Sequence, residues 1–128
     1  MKLTYTKAAL AVALLTASML GSAQDKTARI SDGVVKIGVL TDMNGPFMDN
    51  VGKGSVVATE IAIEEFGGKV LGYPIQMVTA DHQNKADVGS ARVREWFDRD
   101  QVDAATELGN SAVALASMRL AQEKGRMS

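Results

Sequence analysis

Beyond residue 33, apolar positions switch between two spacings. Val34-Val35-Lys36-Ile37-Gly38-Val39-Leu40 is a short, nearly continuous apolar run that stops in the polar stretch Thr41-Asp42-Met43-Asn44-Gly45-Pro46-Phe47. A run without strict alternation suits a strand buried on both faces of a parallel sheet. Residues 52–66 then carry a helical period. Val57, Ala58, Ile61, Ala62 and Phe66 fall on one broad arc, with Glu60 and Glu64 on the other side. Gly67-Gly68 ends that helix as a C-cap pair, because glycine accepts the left-handed backbone at no steric cost. Leu71-Gly72-Tyr73-Pro74 reads as a turn, and Pro74 prevents the helix from restarting.

The alternation then repeats. Residues 75–80 predict a second strand running into Asp81-His82-Gln83-Asn84. Residues 85–100 predict a second helix, with Ala86, Gly89, Ser90, Val93, Trp96 and Phe97 inward and Arg92, Glu95 and Arg99 toward solvent. Residues 101–106 give a weak third strand, recognisable mainly by position. Gly109-Asn110-Ser111 leads into a third helix over 112–124, with Ala112, Val113, Ala116 and Leu120 inward and Gly125 closing it. Units of roughly 30 to 35 residues in the order β-α-β-α-β-α have βαβ spacing. The expectation is an α/β fold: a parallel sheet with flanking helices on both faces, joined by right-handed crossovers. Gly125-Arg126-Met127-Ser128 reads as a helix cap and the lead-in to a fourth strand. A three-stranded sheet with both edges unpaired is a thin core, which points to a piece of something longer.

The segment before residue 34 is of another kind. Lys2 and Lys7 form a basic start, residues 8–20 are an apolar run, and Gly21-Ser22-Ala23 offers the small residues of a cleavage site. The run is shorter than the roughly 20 apolar residues a membrane-spanning helix needs. Residues 1–23 are therefore expected to be a cleaved signal peptide and 24–33 a mobile lead-in, which places the mature chain in the periplasm or outside the cell. Of the 14 basic residues, the two in that segment are lost, leaving 12 against 15 acidic ones. No basic stripe is available for nucleic acid. The chain has no cysteine, so an exported domain of this composition has to rely on a packed core rather than on disulfides.

Candidate chemistry is sparse. Gly45, Gly52 and Gly54 do not fit a Walker loop, because Lys53 is followed by Gly54 rather than Ser or Thr. The dinucleotide pattern fails as well, with Val57 where its third glycine would stand. His82 is the single histidine, too little for an ordinary zinc site, so no metal and no cofactor are expected. It is either a loop residue bordering a cleft or a plain surface residue. No nucleophile elbow is present, and Ser111 has no base near it in sequence, so catalytic residues are not expected. Ser111 instead stands where its hydroxyl can cap the third helix, leaving the N–H groups of Ala112 and Val113 pointing into a cleft. Such a helix start suits a carboxylate. A cap without a ligand fits the residues equally well.

Together, the apolar start, the strand with its Thr41–Phe47 loop and three further stretches resemble a known family. Those stretches are residues 58–70, Ala80-Asp81-His82-Gln83-Asn84-Lys85-Ala86-Asp87-Val88-Gly89, and Asn110-Ser111-Ala112-Val113-Ala114-Leu115. They look like the N-terminal part of a periplasmic solute-binding protein of the branched-chain amino acid (Leu/Ile/Val) ABC importers. The resemblance implies a type I periplasmic binding protein fold, of which residues 34–128 are an incomplete N-terminal lobe. It implies capture of an amino acid or related small carboxylate between two lobes, and delivery to an inner-membrane ABC permease rather than catalysis. It also implies site residues. Ser111, with the N–H of Ala112 and its neighbour Asn110, would take the ligand carboxylate. Met43, Gly45 and Phe47 would wall the cleft, and His82 would contribute more weakly. A ligand-sensing domain of a receptor shares this fold and is the alternative. The third strand is more polar than the family's usual one, which puts its pairing in question. The second lobe, with the acidic group that meets the ligand's amino end, is absent.

Overall fold

The computed structural model describes residues 32–128; the expected signal peptide and most of the expected lead-in lie outside them. The described elements run β1 (Val35–Thr41), α1 (Gly52–Glu65), β2 (Lys69–Val70), β3 (Tyr73–Asp81), α2 (Ala86–Glu95), β4 (Ala104–Glu107) and α3 (Ser111–Lys124). A single π-helical turn, Trp96–Asp100, extends α2. The sheet order is β2-β3-β1-β4. β1 lies in the middle, parallel to β3 from Val35↔Ile75 to Thr41↔Asp81, and parallel to β4 from Ile37↔Ala104 to Leu40↔Glu107.

The nearly continuous apolar run is explained by this position. Val39, Leu40 and Thr41 have no exposed surface. Full burial of one aliphatic side chain contributes about 1.5–3 kcal/mol. Leu40, Val78, Ala80 and Ala105 meet Val93, Trp96, Phe97, Val113, Leu120 and Ala121 in the main core, so α2 and α3 cover one face. α1 packs on the other face, against β1 and β3. Trp96 lies so close to the strand that a Cβ on Gly38 would fall 2.5 and 2.6 Å from its ring carbons Cζ3 and Cε3. On α2, a Cβ at Gly89 would fall 2.7 Å from Val113 Cγ1, so glycine there lets the two helices approach.

Four expectations change. The sheet is mixed rather than wholly parallel, because β2 and β3 form an antiparallel hairpin with Val70↔Tyr73 in register. Its loop is Leu71-Gly72 at φ 50° and 86°, the left-handed pair that twists a two-residue hairpin correctly. Pro74 therefore lies inside β3, near its start, beyond the residues that bond to β1. The polar third strand does pair: β4 is short, but it takes the free edge of β1.

The third change concerns α1. Ser55, Val56, Thr59 and Ile63 are its half-buried residues, while Val57, Ala58, Ile61, Ala62 and Phe66 are exposed, with Ala58 and Ala62 lining the groove toward β4. Apolar residues occur on several sides of this helix, so their period does not single out one face. Finally, Ala112 on α3 is exposed, and Ser117 and Ala121 are buried with Val113 and Leu120. The glycine caps agree with expectation, with φ 94° at Gly67, 68° at Gly68 and 62° at Gly125.

The last residues return to the sheet. Met127 bridges Ala104 in parallel sense, with Ala105 N–H donating to Met127 O at 2.9 Å and Met127 N–H to Asp103 O at 3.2 Å. Asp103 fixes this corner, accepting from Lys36 N–H at 2.9 Å and from Arg126 Nη1 at 2.9 Å.

The Gly38–Trp96 contact is testable. Gly38→Ala forces the indole or the strand aside and should cost about 1–3 kcal/mol. Urea unfolding followed by fluorescence of Trp96, the single tryptophan, measures it; an unchanged midpoint would show that the contact relaxes freely.

Candidate functional site

Because β1, β3 and β4 are parallel, their following loops emerge at one end of the sheet, the edge where open α/β sheets hold ligands. Each loop is shaped by a carboxylate or an amide. Asp42, fully buried at the end of β1, accepts from Gly45 N–H at 2.8 Å and from Phe47 N–H at 3.0 Å. Its carboxylate fills the space a side chain on Gly45 would need, so the turn requires glycine. Asp81, at the end of β3, accepts from Gln83 N–H at 2.7 Å, and across to the first loop from Met43 N–H at 3.2 Å and Asn44 Nδ2 at 2.9 Å. Burial pushes the Asp81 carboxyl up, but these bonds and the charge of His82 together hold it below its ordinary 3.8.

The third loop is tied to the second. Asn110 Nδ2 donates to Asn84 Oδ1. Its other end caps α3: Asn110 Oδ1 accepts from Ala112 N–H at 2.8 Å and Val113 N–H at 3.1 Å. This corrects the expected cap. Asn110, with φ −123° and ψ 127°, has the extended backbone of an N-cap, whereas Ser111 is already helical. The N–H groups of Ala112 and Val113 are therefore engaged by a side chain of the protein rather than free. Ser111 and Ala112 lie exposed at the helix start, with Asn110 half-buried beneath them.

The other expected residues divide. Met43 and Gly45 are half-buried, and Phe47 is 39% exposed beside them. His82 is neither a surface residue nor a cleft-lining one, because it has no exposed surface. It points from the end of β3 toward Gly89 of α2, whose added Cβ would lie 3.5 Å from His82 Cβ. Nδ1 accepts from Asn84 N–H at 3.0 Å, and Nε2 is buried with no partner among the described residues. Asp42, Asp81 and Asn84 did not figure as site residues in the sequence, although short-range side-chain-to-backbone turns are what Asp and Asn at strand ends commonly form. Among the described residues, no group of three or more His, Asp or Glu could hold a metal ion. A groove of about 630 Å³ lies away from this face, between α1 and β4.

A family model described as periplasmic binding protein matches residues 34–128. No curated protein matches the chain. Among solved structures, a periplasmic binding protein from Burkholderia mallei is 47% identical with TM-score 0.71, over 73% of this chain and 25% of its own. A branched-chain amino acid ABC transporter periplasmic ligand-binding protein from Burkholderia xenovorans is 51% identical with TM-score 0.69, over 72% and 25%. A solute-binding protein of an ABC transporter from Rhodopseudomonas palustris, in complex with 3,4-dihydroxybenzoic acid, is 25% identical with TM-score 0.66, over 72% and 25%. The chain thus spans about a quarter of the length of these structures.

Two outcomes are expected from the loop bonds. Asn110→Ala removes the cap and the tie to Asn84 and should destabilise the chain by about 0.5–2 kcal/mol. Ser111→Ala should change stability little, and equal losses in the two variants would return the cap to Ser111. Asp81, lowered in the folded state, contributes stability above its unfolded value near 3.8, and that contribution is lost as pH falls through the folded value. Asp81→Asn should therefore flatten the acid limb of a stability-versus-pH curve; an unchanged limb would remove Asp81 from this role.

Proposed function

The chain belongs to the periplasmic binding protein family, and from that premise we propose that it forms part of the solute-binding component of an ABC importer. The observation that carries this reading is the stitched strand-end face, where three loops are bonded to one another and the start of α3 stands exposed above them. The ligand is a small carboxylate, an amino acid or an aromatic acid. Its carboxylate meets the positive end of α3 at the Ser111 hydroxyl; the Ala112 N–H, already donated to Asn110 Oδ1, acts through the helix dipole rather than by a bond of its own. Met43, Gly45 and Phe47 form the adjoining wall, with the Phe47 ring available to an apolar ligand body.

Capture proceeds by population shift. A ligand that touches both lobes only when they close stabilises the closed state by its differential affinity. The closed protein is then what an inner-membrane permease receives, after export to the periplasm through a cleaved signal peptide. The chemistry is binding rather than catalysis, the reading that membership of the family supports.

One wall gives only part of the contacts, so the 128-residue chain alone should bind leucine, isoleucine or 3,4-dihydroxybenzoate more weakly than the micromolar range. Grafting residues 34–128 in place of the matching segment of the Burkholderia xenovorans protein should restore binding, and Ser111→Ala in the graft should weaken it about tenfold, as for one lost hydrogen bond to a charged group. Calorimetry decides. Micromolar binding by the chain alone, or a folded graft that takes no small carboxylate, would sink the proposal.

A further inference from the structure

His82 is a buried polar side chain whose role is unexplained by packing alone. Its Nδ1 accepts from Asn84 N–H at 3.0 Å, so Nδ1 carries no proton and the ring's hydrogen is on Nε2. Nε2 has no partner among the described residues and no exposure. An apolar residue would fill this position at lower desolvation cost, unless the acceptor at Nδ1 matters. What it accepts from is the residue that holds the third loop. Asn84 Oδ1 receives Asn110 Nδ2, and Asn110 Oδ1 receives the N–H groups of Ala112 and Val113. A series of hydrogen-bonded residues, His82, Asn84 by its backbone and its side chain, and Asn110, therefore connects the buried imidazole to the first turn of α3.

We infer that His82 is a positioning residue for the start of α3, and that uptake of a proton at Nδ1 uncouples it. This rests on the reading of α3 as the ligand-gripping helix. The doubly protonated ring turns a second N–H toward the N–H of Asn84, donor against donor, and that bond is lost. Asn84 and Gln83 sit at φ 54° and 52°, left-handed values that for residues without glycine's freedom are held by such bonds. Releasing Asn84 shifts its side chain, and with it the amide of Asn110 that caps α3.

The charged groups around the ring are few. Asp81 precedes it and is tied to Gln83, Met43 and Asn44. Asp42, in the next register position on β1, is engaged by Gly45 and Phe47. Lys85 and Asp87 stand exposed at the start of α2, and Glu107 ends β4 beside Gly109. From α3, Val113 is the neighbour at Gly89, and Ser111 through Met118 carry no ionisable side chain.

The test needs no ligand, so its failure is separable from failure of the transport reading. Proton–nitrogen correlation spectra of the full chain are recorded from about pH 8 to about pH 5, the range in which imidazoles change charge. The backbone amides of Asn84, Ala112 and Val113 and the side-chain amide of Asn110 should shift with one midpoint, shared with the His82 ring protons. In His82→Asn the Oδ1 replaces Nδ1 in an ordinary Asx turn and cannot take up a proton. Those shared shifts should vanish there while the Ala112 and Val113 resonances keep their high-pH positions. Separate midpoints, a response confined to Asn84, or a response that persists in His82→Asn would overturn the inference. The wild-type titration decides by itself if the variant does not fold.

Discussion

Everything at the strand-end face depends on β1 being held on all sides. It is bonded to β3 along one edge and β4 along the other, and helices lie over both of its faces. Val39, Leu40, Thr41 and Asp42 have no exposed surface, so the point where the chain leaves the sheet is fixed. The register carries that fixity outward. Thr41 stands opposite Asp81 and Leu40 opposite Glu107, which brings the ends of three strands to nearly one level. The loops meet because their strands stop together. Gly38 belongs to the same constraint, since only a residue without a side chain admits the Trp96 ring against the strand.

Much of this architecture was legible in the apolar spacing, and the gaps have local causes. The inward arcs of α2 and the caps at Gly67, Gly68 and Gly125 follow from short-range chemistry that a sequence states directly. The half-buried side of α1 does not, because Val57, Ile61 and Phe66 compete with Val56 and Ile63 for it, and packing on the sheet settles the contest. The β2–β3 hairpin was missed because its turn uses Leu71 at φ 50°, where Asn or Asp would have announced it. β4 reads as a weak strand whose polarity puts its pairing in question. Its pairing comes from tertiary context: β1 has a second edge whose N–H and C=O groups need partners, and residues 104–107 are placed to supply them.

The candidate site rests on resemblance more than on physics. Ser111 and Asn110 are neighbours, both good capping residues, and only the backbone angles separate the cap from the first helical residue. The fate of His82 was hidden for a different reason. A polar residue in a loop is exposed by default, and the burial of His82 is tertiary: Gly89 of α2 lies against it, where α2 meets Val113 of α3. The ties that shape the face, Asp81 to Met43 and Asn110 to Asn84, span 38 and 26 positions, beyond any local pattern.

These ties also account for where backbone strain is kept. Gln83, Asn84, Glu107 and Leu108 all adopt left-handed φ, and all stand just where β3 and β4 end. Such conformations in residues other than glycine cost of order 1–3 kcal/mol each and persist only when the surroundings impose them. Here the impositions are visible: Gln83 N–H on Asp81, Asn84 N–H on His82, and Leu108 N–H on Leu40 O at 3.1 Å. Strain held in this way leaves the loops with one shape before any ligand arrives. A surface that must grip a small molecule from one side loses less entropy on binding if its donors are already in place. The chain concentrates its least comfortable backbone at the face proposed to meet the ligand, and anchors it to the strand that is least able to move.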